Sequence, residues 1–315
     1  MSQPYNSFGS YVRKRFGSPV FKTNIDAGFT CPNRDGTVAT GGCTYCNNES
    51  FKPGACRPTL SVQEQVQNGI EYMGGRYGAK KFIAYFQAYT NTHAPVDHLR
   101  RLYTEALADP SVIGLAIGTR PDAMDAAKLD LLEEIARTHF VLVEYGLQSI
   151  HEATLKYINR GHDYQCFLDT VAATLKRPGL HVGGHLIVGF PTETRQQTLA
   201  MAEAMNQCGL EFLKIHQLQI IKDTPMAAEF AAHPFPVFEY EEYINFLAEF
   251  IDRLSPHIVL QRLFATAPDE ILIAPKWGRS RHEILSDITA RFRTLGTRQG
   301  RACSTCTTAS LQDKI

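Results

Sequence analysis

The sequence lacks an excess of charge of either sign, a long apolar run and a secretory leader. Its 315 residues carry 32 Lys and Arg against 32 Asp and Glu, so no global basic field indicates a nucleic-acid partner. The uncharged stretch from Pro178 to Thr192 is short and interrupted by Pro, Gly and His, so it is not a membrane span. Because the first residues have no apolar core of a signal peptide, we expect a cytoplasmic protein. These absences exclude a membrane protein, a fibrous chain and a small secreted scaffold.

The chain also contains no linker rich in Gly or Ser, no low-complexity segment and no repeat at the period of a solenoid. With 44% hydrophobic and 20% charged residues, it has enough apolar side chains to bury a sizeable core. A length of 315 residues exceeds one average domain, but a single α/β barrel can contain it.

Short apolar runs alternate with longer amphipathic segments, which is the pattern of repeated βα units. The runs predict six strands, at residues 20–25, 81–86, 112–117, 140–145, 181–188 and 212–218. The segments between them predict helices at residues 61–77, 95–109, 125–138, 163–177 and 194–207. Nearly continuous apolar strands are typical of a parallel sheet buried on both faces, and six units are too few to close an eight-stranded barrel. The sequence therefore predicts an α/β fold built on an open, partial (β/α)6 barrel.

After residue 219 the alternation loosens. A helix at 238–254 and a strand at 257–260 are followed by an Arg-rich tail. We therefore expect the barrel to cover residues 15–220. Residues 221–315 are expected to form a C-terminal α/β extension that packs on the barrel and ends in the basic tail.

Eight cysteines without a secretory leader favour a metal or catalytic role over a disulfide framework. Cys31, Cys43 and Cys46 lie in one glycine-rich loop after the first predicted strand, where parallel α/β proteins place their chemistry. Two interpretations are open. Three thiolates match a [4Fe–4S] cluster with one open iron. Alternatively, Cys303 and Cys306 complete a four-cysteine zinc site with Cys43 and Cys46.

The cysteine loop contains the motif Cys43-Thr44-Tyr45-Cys46. Further segments at strand ends match the same protein family as this motif does. The matching segments are Asn24–Gly36, Gly118–Asp122, Glu144–Ser149, Asn159–His162, His185–Glu193 and Gln261–Leu263. Over about residues 4–277 the chain resembles the radical S-adenosylmethionine (SAM) superfamily, and within it the YhcC-type subgroup related to the Elongator catalytic subunit. The resemblance implies a partial barrel of the radical SAM type.

The resemblance also implies cofactors and a reaction. Cys31, Cys43 and Cys46 would ligate a [4Fe–4S] cluster whose open iron binds the amino and carboxyl groups of SAM. An electron from a donor such as flavodoxin or ferredoxin would then cleave SAM to methionine and a 5′-deoxyadenosyl radical. That radical abstracts hydrogen from the substrate. The protein itself would supply position and exclusion of water.

Several residues are carried over as SAM contacts. Tyr45 would shield the cluster and touch adenine, or would simply pack inward. Gln148 offers an amide to ribose hydroxyls, and Arg160 a guanidinium to the methionine carboxylate. Gly189 and Glu193 match a turn motif beside adenine, although a turn glycine and an acid at a helix N-terminus explain them equally well.

Charged or polar residues in the strands add further candidates. Glu144 lies in an apolar strand, so it contacts a ligand or is the buried partner of an arginine. Lys214 and His216 end the sixth predicted strand and are candidates for substrate contact or proton transfer. His185 stands where relatives have an acid beside the ribose, and it is either a core histidine or a titrating contact.

The chain departs from the family after the second strand. Many members have a Gly-Gly-Glu-like motif there that holds the methionine amine, whereas this chain has Thr90, Asn91 and Thr92 within residues 87–93. These three residues would supply oxygens or backbone groups in its place. Cys56, Cys166 and Cys208 show no ligand spacing. For Cys303 and Cys306 three interpretations are open, a metal site, a redox pair or a cap of the last helix-like segment, and no role is assigned to them.

The net charge of zero conceals a basic C-terminal segment. Between Lys276 and Arg301 seven basic residues face two acidic ones, for a local charge of +5, with Trp277 at the start. This segment is either a solvated tail or a surface for a phosphate backbone. Kinship with the Elongator catalytic subunit favours tRNA, with modification of the wobble uridine, although its acetyltransferase domain has no room here. The alternatives are a radical SAM enzyme acting on a small molecule or peptide, and a non-enzymatic zinc-stabilised binding module.

Overall fold

Seven parallel strands form one curled sheet in the order β1-β2-β3-β4-β5-β6-β8, which confirms the predicted partial barrel. A computed structural model describes residues 3–50 and 58–304, and every structural statement refers to these residues. The strands of this sheet are β1 Phe21–Ile25, β2 Phe82–Phe86, β3 Val112–Thr119, β4 Phe140–Gln148, β5 Leu180–Val188, β6 Phe212–Gln217 and β8 Val259–Arg262. A separate antiparallel pair consists of β7 Ile220–Ile221 and β9 Leu272–Ala274.

Helices follow most of the strands and cover the outer face of the sheet. Those of the barrel are α1 Phe8–Phe16, α2 Val62–Tyr77, α3 Val96–Ala106, α4 Ala126–Ala136, α5 Glu152–Tyr157, α6 Tyr164–Leu175 and α7 Arg195–Gln207. Beyond β6 come α8 Pro225–Ala232, α9 Tyr240–Arg253 and α10 Arg281–Thr294. No helix in the described part of the chain is both long and apolar enough to cross a membrane.

Burial on both faces explains why the apolar runs became parallel strands. Every residue of β2 is buried, and the core extends from this sheet into the helices. Side-chain caps fix where the helices begin. Capping boxes start α2 at Ser61 and α7 at Thr194, as the preference for hydroxyl residues at this position leads one to expect.

The structure adds elements that the sequence pattern did not indicate. The helices α1, α5 and α8 are new, and α10 occupies the segment expected to be an Arg-rich tail. The strand expected near 257–260 pairs in parallel with β6 as the seventh strand of the sheet. The barrel sheet thus includes residues beyond the expected boundary at 220.

The segment before α1 is fastened to the far end of the chain. The backbone of Leu260 donates a hydrogen bond to the carbonyl of Asn6 (2.8 Å). The buried side chain of Gln299 accepts a hydrogen bond from the Asn6 amide (2.8 Å) and donates to the carbonyls of Ser255 and Ile258. The edge of the sheet at β8 is therefore covered by residues that are distant in sequence.

Gly114 in β3 has no room for a side chain, because an added Cβ would lie 2.1 Å from the carbonyl oxygen of Phe140 on β4. We expect Gly114→Ala to lower the free energy of unfolding by about 2 kcal/mol or more, since backbone in a paired strand cannot yield. Urea denaturation measures this change. The control Gly75→Ala lies in α2 with open space around it and should stabilise by about 0.5–1 kcal/mol. Equal stability of the two variants would contradict the packing described for β3 and β4.

Candidate active site

A cavity of about 680 Å³ lies against the concave face of the sheet and reaches the loops after its strands. Of the predicted site residues, Asn91, Thr92, Gly189 and Glu193 do not line it, and the others do: Cys31, Cys43, Tyr45, Cys46, Thr90, Glu144, Gln148, Arg160, His185, Lys214 and His216. Strands and loops that are far apart in sequence thus bring the cysteines and the polar candidates to one space.

The cysteine loop is held in place by the loop that follows α5. Asn159 donates from its side-chain amide to the carbonyl of Gly42 (2.8 Å), and Asn33 donates to the carbonyl of Asn159 (2.6 Å). The Cys46 amide donates to the carbonyl of Cys43 (3.0 Å), which turns the chain between these two cysteines. Gly161 completes the contact, because a Cβ there would lie 2.4 Å from Oδ1 of Asn33.

Cys43 is buried between donors. Nη1 of Arg160 lies 3.4 Å and Nδ2 of Asn33 lies 3.6 Å from its sulfur. Burial would lower the pKa of Arg160, but the Cys43 thiolate and Tyr45 raise it overall, so the guanidinium stays charged. Burial, and after it the charge of Cys43, raises the pKa of the Cys46 thiol. A metal that binds this loop would have to displace the proton of the Cys46 thiol, because cysteine binds metals as the thiolate.

The spacing of the donors distinguishes the two interpretations of the cysteines. Among the described residues, no three His, Cys, Asp or Glu side chains converge as ligands of a single metal ion. A tetrahedral zinc requires its sulfurs to lie within about 4 Å of one another. In an iron–sulfur cluster each cysteine binds a different iron, so a wider triangle of sulfurs fits.

The zinc alternative would join Cys303 and Cys306 to Cys43 and Cys46, but Cys303 lies in another part of the fold. The sulfur of Cys303 is 3.5 Å from Nδ2 of Asn206, in the helix that precedes β6, whereas Cys43 lies beyond the opposite ends of the strands. Cys306 falls outside the described residues. Three cysteines that line one cavity fit a [4Fe–4S] cluster that keeps one iron open.

Unpaired polar atoms mark the cavity wall beside the cysteines. Oε1 of Gln148, Nε of Arg160 and Nη1 of Arg120 are buried without a hydrogen-bond partner in the described structure. Buried polar atoms are nearly always paired, so this group indicates a place where a ligand binds. Gln148 also has a φ of 77°, at a β-bulge where β4 leaves its regular pairing with β5, and such backbone strain concentrates at functional sites.

The three residues that stand in place of the family's Gly-Gly-Glu motif are not equivalent. Thr90 lines the cavity. Asn91 instead donates to the carbonyls of Phe86 and Gly118, and the Thr92 hydroxyl shares a hydrogen bond with Thr119 (2.6 Å). Asn91 and Thr92 thereby join the ends of β2 and β3, which leaves Thr90 as the residue that faces a ligand.

Gly189 and Glu193 do not reach the cavity. A Cβ on Gly189 would lie 2.7 Å from the ring of Phe238, so this turn needs a glycine for packing. Glu193 accepts hydrogen bonds from the hydroxyls of Ser149 and Thr198. Their structural roles are evident, and their contact with adenine stays a prediction.

Glu144 pairs with two lysines and not with an arginine, which was one of its two interpretations, while its contact with a ligand stays a prediction. Lys22 donates to one carboxylate oxygen (2.9 Å), and Lys214 donates to the other. Lys214 also donates to the hydroxyl of Tyr85 (2.6 Å), whose ring packs beneath both ammonium groups. Burial would raise the pKa of Glu144, but Lys214 and Lys22 hold it far below its ordinary range.

The two histidines of the cavity are neutral at physiological pH. Their ring centroids lie 4.8 Å apart. Burial, and after it His216 and Arg262, lowers the pKa of His185 well below its usual value. Burial lowers the pKa of His216 to about 4. Nε2 of His185 is buried without a partner in the described structure, and its contact with a ligand stays a prediction.

The basic C-terminal segment is largely folded onto α9. Trp277 donates from its indole to the carbonyl of Phe238 (3.0 Å) and packs 5.1 Å from the ring of Tyr243, so it belongs to the core. Three of its arginines have carboxylate partners: Arg279 with Glu283, Arg291 with Glu241 and Arg301 with Asp252. The local charge of +5 is therefore partly compensated in the fold.

Sequence reasoning gave no role to several residues that shape the site: Lys22, Asn33, Tyr85, Arg120, Asn159, Gln261 and Arg262. The sequence could have pointed to Asn33 and Asn159, because each lies in a segment that matches the family. It could also have pointed to Lys22, since a lysine within an apolar strand needs a buried partner.

Lys214 makes the stability of the fold depend on pH. Burial lowers its pKa to about 7 from an ordinary 10.5. Between these values the unfolded chain binds a proton that the folded chain does not, so the residue's contribution to the free energy of unfolding rises with pH. Relative to Lys214→Met, the wild type should gain about 1 kcal/mol per pH unit between pH 7 and 10 in urea denaturation. Parallel curves would contradict the shift, and Lys156→Met, at an exposed lysine, is the control variant.

Comparison with known proteins identifies the family of this chain. The model described as Radical SAM superfamily matches residues 34–205, and the Radical_SAM C-terminal domain matches residues 210–294. Protein YhcC of Escherichia coli (strain K12) is 39% identical over 277 residues, which are 88% of each chain. The tRNA uridine(34) acetyltransferase of Methanocaldococcus infernus is 29% identical over 141 residues, which are 43% of this chain and 25% of that protein.

A solved structure shares the fold of this chain. The structure of archaeal Methanocaldococcus infernus Elp3 with N-terminus deletion (1–46) superposes with a TM-score of 0.68 at 16% identity. The match covers 89% of this chain and 64% of that one, so this chain spans less than two thirds of its length. The match to the two family models and the identity with Protein YhcC confirm the family expected from the motifs. The chain belongs to the radical SAM superfamily of enzymes.

Proposed function

We propose that Cys31, Cys43 and Cys46 hold a [4Fe–4S] cluster and that the chain binds SAM beside it. The observation that carries this proposal is that the three cysteines line the same cavity as the unpaired polar atoms of Gln148, Arg160 and Arg120. When bound, such a cluster supplies the electron that cleaves SAM and yields a 5′-deoxyadenosyl radical. A reductant such as flavodoxin or ferredoxin would deliver that electron.

The residues around the cysteines fit the parts of SAM. The amide of Gln148 suits ribose hydroxyls, and the free Nη1 of Arg120 and Nε of Arg160 suit the methionine carboxylate. Tyr45 packs against Phe190 and lines the cavity, where its ring suits adenine. Thr90 and His185 offer a hydroxyl and a neutral imidazole.

The chain itself orients the reactants and excludes water from them. Arg160 is fixed by hydrogen bonds to the carbonyl of Gly146 and to the sulfur of Cys43, so its position is independent of the ligand. Gly146 leaves space, because a Cβ there would lie 2.8 Å from nitrogens of both Arg160 and Gln148. Such prearranged donors lower the entropic cost of binding.

We further propose that the substrate is RNA, and specifically a tRNA modified at the wobble uridine. Support comes from the partial likeness to a tRNA uridine(34) acetyltransferase and the shared fold with archaeal Elp3. Exposed arginines on and after α10, Arg293 and Arg298, add positive charge that carboxylates of the described residues do not pair. Arg281, the first residue of α10, lines the cavity and would connect this surface to the reaction site.

The cluster assignment predicts a definite metal content. Anaerobically purified protein should contain iron and acid-labile sulfide, and Cys43→Ala should lose the cluster and SAM cleavage. Cys166→Ala, at a free cysteine of α6 outside the cavity, is the matched control and should retain both. A colourless protein with one zinc and no iron would refute the proposal, as would cleavage by Cys43→Ala at the wild-type rate.

The RNA proposal predicts tRNA binding that weakens with salt. Replacing both Arg293 and Arg298 by Gln should weaken binding and reduce the slope of log K against log salt by about 2, since each phosphate contact contributes about 1. Arg291→Gln is the control, because Arg291 is paired with Glu241 (2.6 Å) and should change the slope less. Absence of tRNA binding at low salt would leave the small-molecule or peptide alternative.

A further inference from the structure

The cavity wall opposite the cysteine loop is rich in cations. Lys22 on β1, Lys214 on β6 and Arg262 on β8 all line it. Glu144 is the single carboxylate among the described residues that line the cavity. Three basic side chains thus surround one carboxylate in this part of the cavity.

The hydrogen bonds in this wall leave donors in excess. The Lys22 ammonium uses one N–H for Glu144 and one for Oε1 of Gln261 (2.6 Å), and the Lys214 ammonium uses its own for Glu144 and Tyr85. Since an ammonium has three N–H groups, each lysine retains one. Nε2 of Gln261 is buried and has no partner in the described structure. What this wall lacks is a hydrogen-bond acceptor for these N–H groups.

Arg262 adds the largest group of donors. Its guanidinium makes no hydrogen bond or ion pair with the described residues, although it lines the cavity. Burial is the largest cause that lowers the pKa of Lys22, Lys214 and His216, and the charge of Arg262 lowers each of them further. Arg262 therefore interacts electrostatically with all three groups. An anion placed among them would relieve this repulsion.

This group is separate from the residues proposed to hold the cluster and SAM. Arg120 and Arg160 contact Asp122, Gly146 and Cys43. Within the described chain, Lys22, Lys214 and Arg262 form no hydrogen bond or ion pair with residues 26–47. The three cations therefore face the remaining part of the cavity, where a substrate would lie.

We propose that Lys22, Lys214 and Arg262 bind a phosphate group of the substrate. Their donors come from three different strands around one volume, which suits the several oxygens of a tetrahedral phosphate better than the two oxygens of a planar carboxylate. Glu144 is a positioning residue that holds both lysines toward this volume. The inference rests on the proposed function, because it takes this cavity as the substrate site. The phosphate belongs to an RNA nucleotide or to a small phosphorylated molecule.

Titration of the anaerobically purified, full-length holoprotein with inorganic phosphate tests the inference by calorimetry. We expect saturable binding that Arg262→Gln weakens about ten-fold or more, as loss of a charge-assisted contact predicts. Lys214→Met should weaken it too, and serves as a second variant if Arg262→Gln does not fold. The control Arg195→Gln removes an exposed arginine that pairs with Glu249 (2.7 Å) outside the cavity, and it should bind as the wild type does.

Competition experiments identify the source of the phosphate. Displacement by methyl phosphate supports a terminal monoester, and displacement by dimethyl phosphate supports a diester of an RNA backbone. The inference is overturned if acetate binds as tightly as phosphate, if Arg262→Gln binds as the wild type does, or if SAM displaces the phosphate. Iron content and SAM cleavage are measured separately, so failure of the phosphate site is distinguishable from failure of the proposed function.

Discussion

The ion pairs of Glu144 with Lys22 and Lys214 require the sheet to curl, and much of the site depends on that curl. The three residues lie on β4, β1 and β6. In a flat sheet β1 and β4, three strand spacings apart, would be separated by about 14 Å, and side chains that stand perpendicular to the sheet would not meet across that distance. A buried carboxylate that meets both lysines therefore links opposite sides of the half-barrel. Loss of one partner from such a group leaves a buried charge without compensation, which is far costlier than loss of a surface pair.

The cysteine loop depends on a different contact. Its conformation is held by Asn159 and Arg160, which follow α5 and lie more than a hundred residues along the chain. Arg160 therefore both shapes the cysteine loop and lines the cavity beside it. Because Arg160 touches both the Cys43 sulfur and the β4 carbonyl of Gly146, any shift of the loop moves a donor that also borders the cavity. The two halves of the site are mechanically connected.

The strands and most helices were predictable, because burial on both faces leaves continuous apolar runs and because capping residues mark helix starts. α10 was not expected, since its arginines resembled a solvated tail, although Ser280 and Glu283 form a capping box that signals it. That Glu144 needed a partner followed from the cost of a buried charge. Which partner it has did not, because Lys22 is 122 residues away and depends on the curl of the sheet. The left-handed backbone of Gln148 arises from a β-bulge, for which no residue type is diagnostic.

The clasp between residues 4–6 and the later chain affects how the protein emerges from the ribosome. Asn6 pairs with Leu260 and Gln299, and the backbone of Gln299 donates to the carbonyl of Pro4 (3.0 Å). Leu260 and Gln299 follow Asn6 by 254 and 293 residues, so residues 4–6 wait without these partners until that length of chain has been synthesised. Contacts of such long sequence separation form slowly, because the loop between them must close first. The nascent half-barrel therefore keeps an open edge at β6 until β8 is made, and until then that edge can pair with another chain.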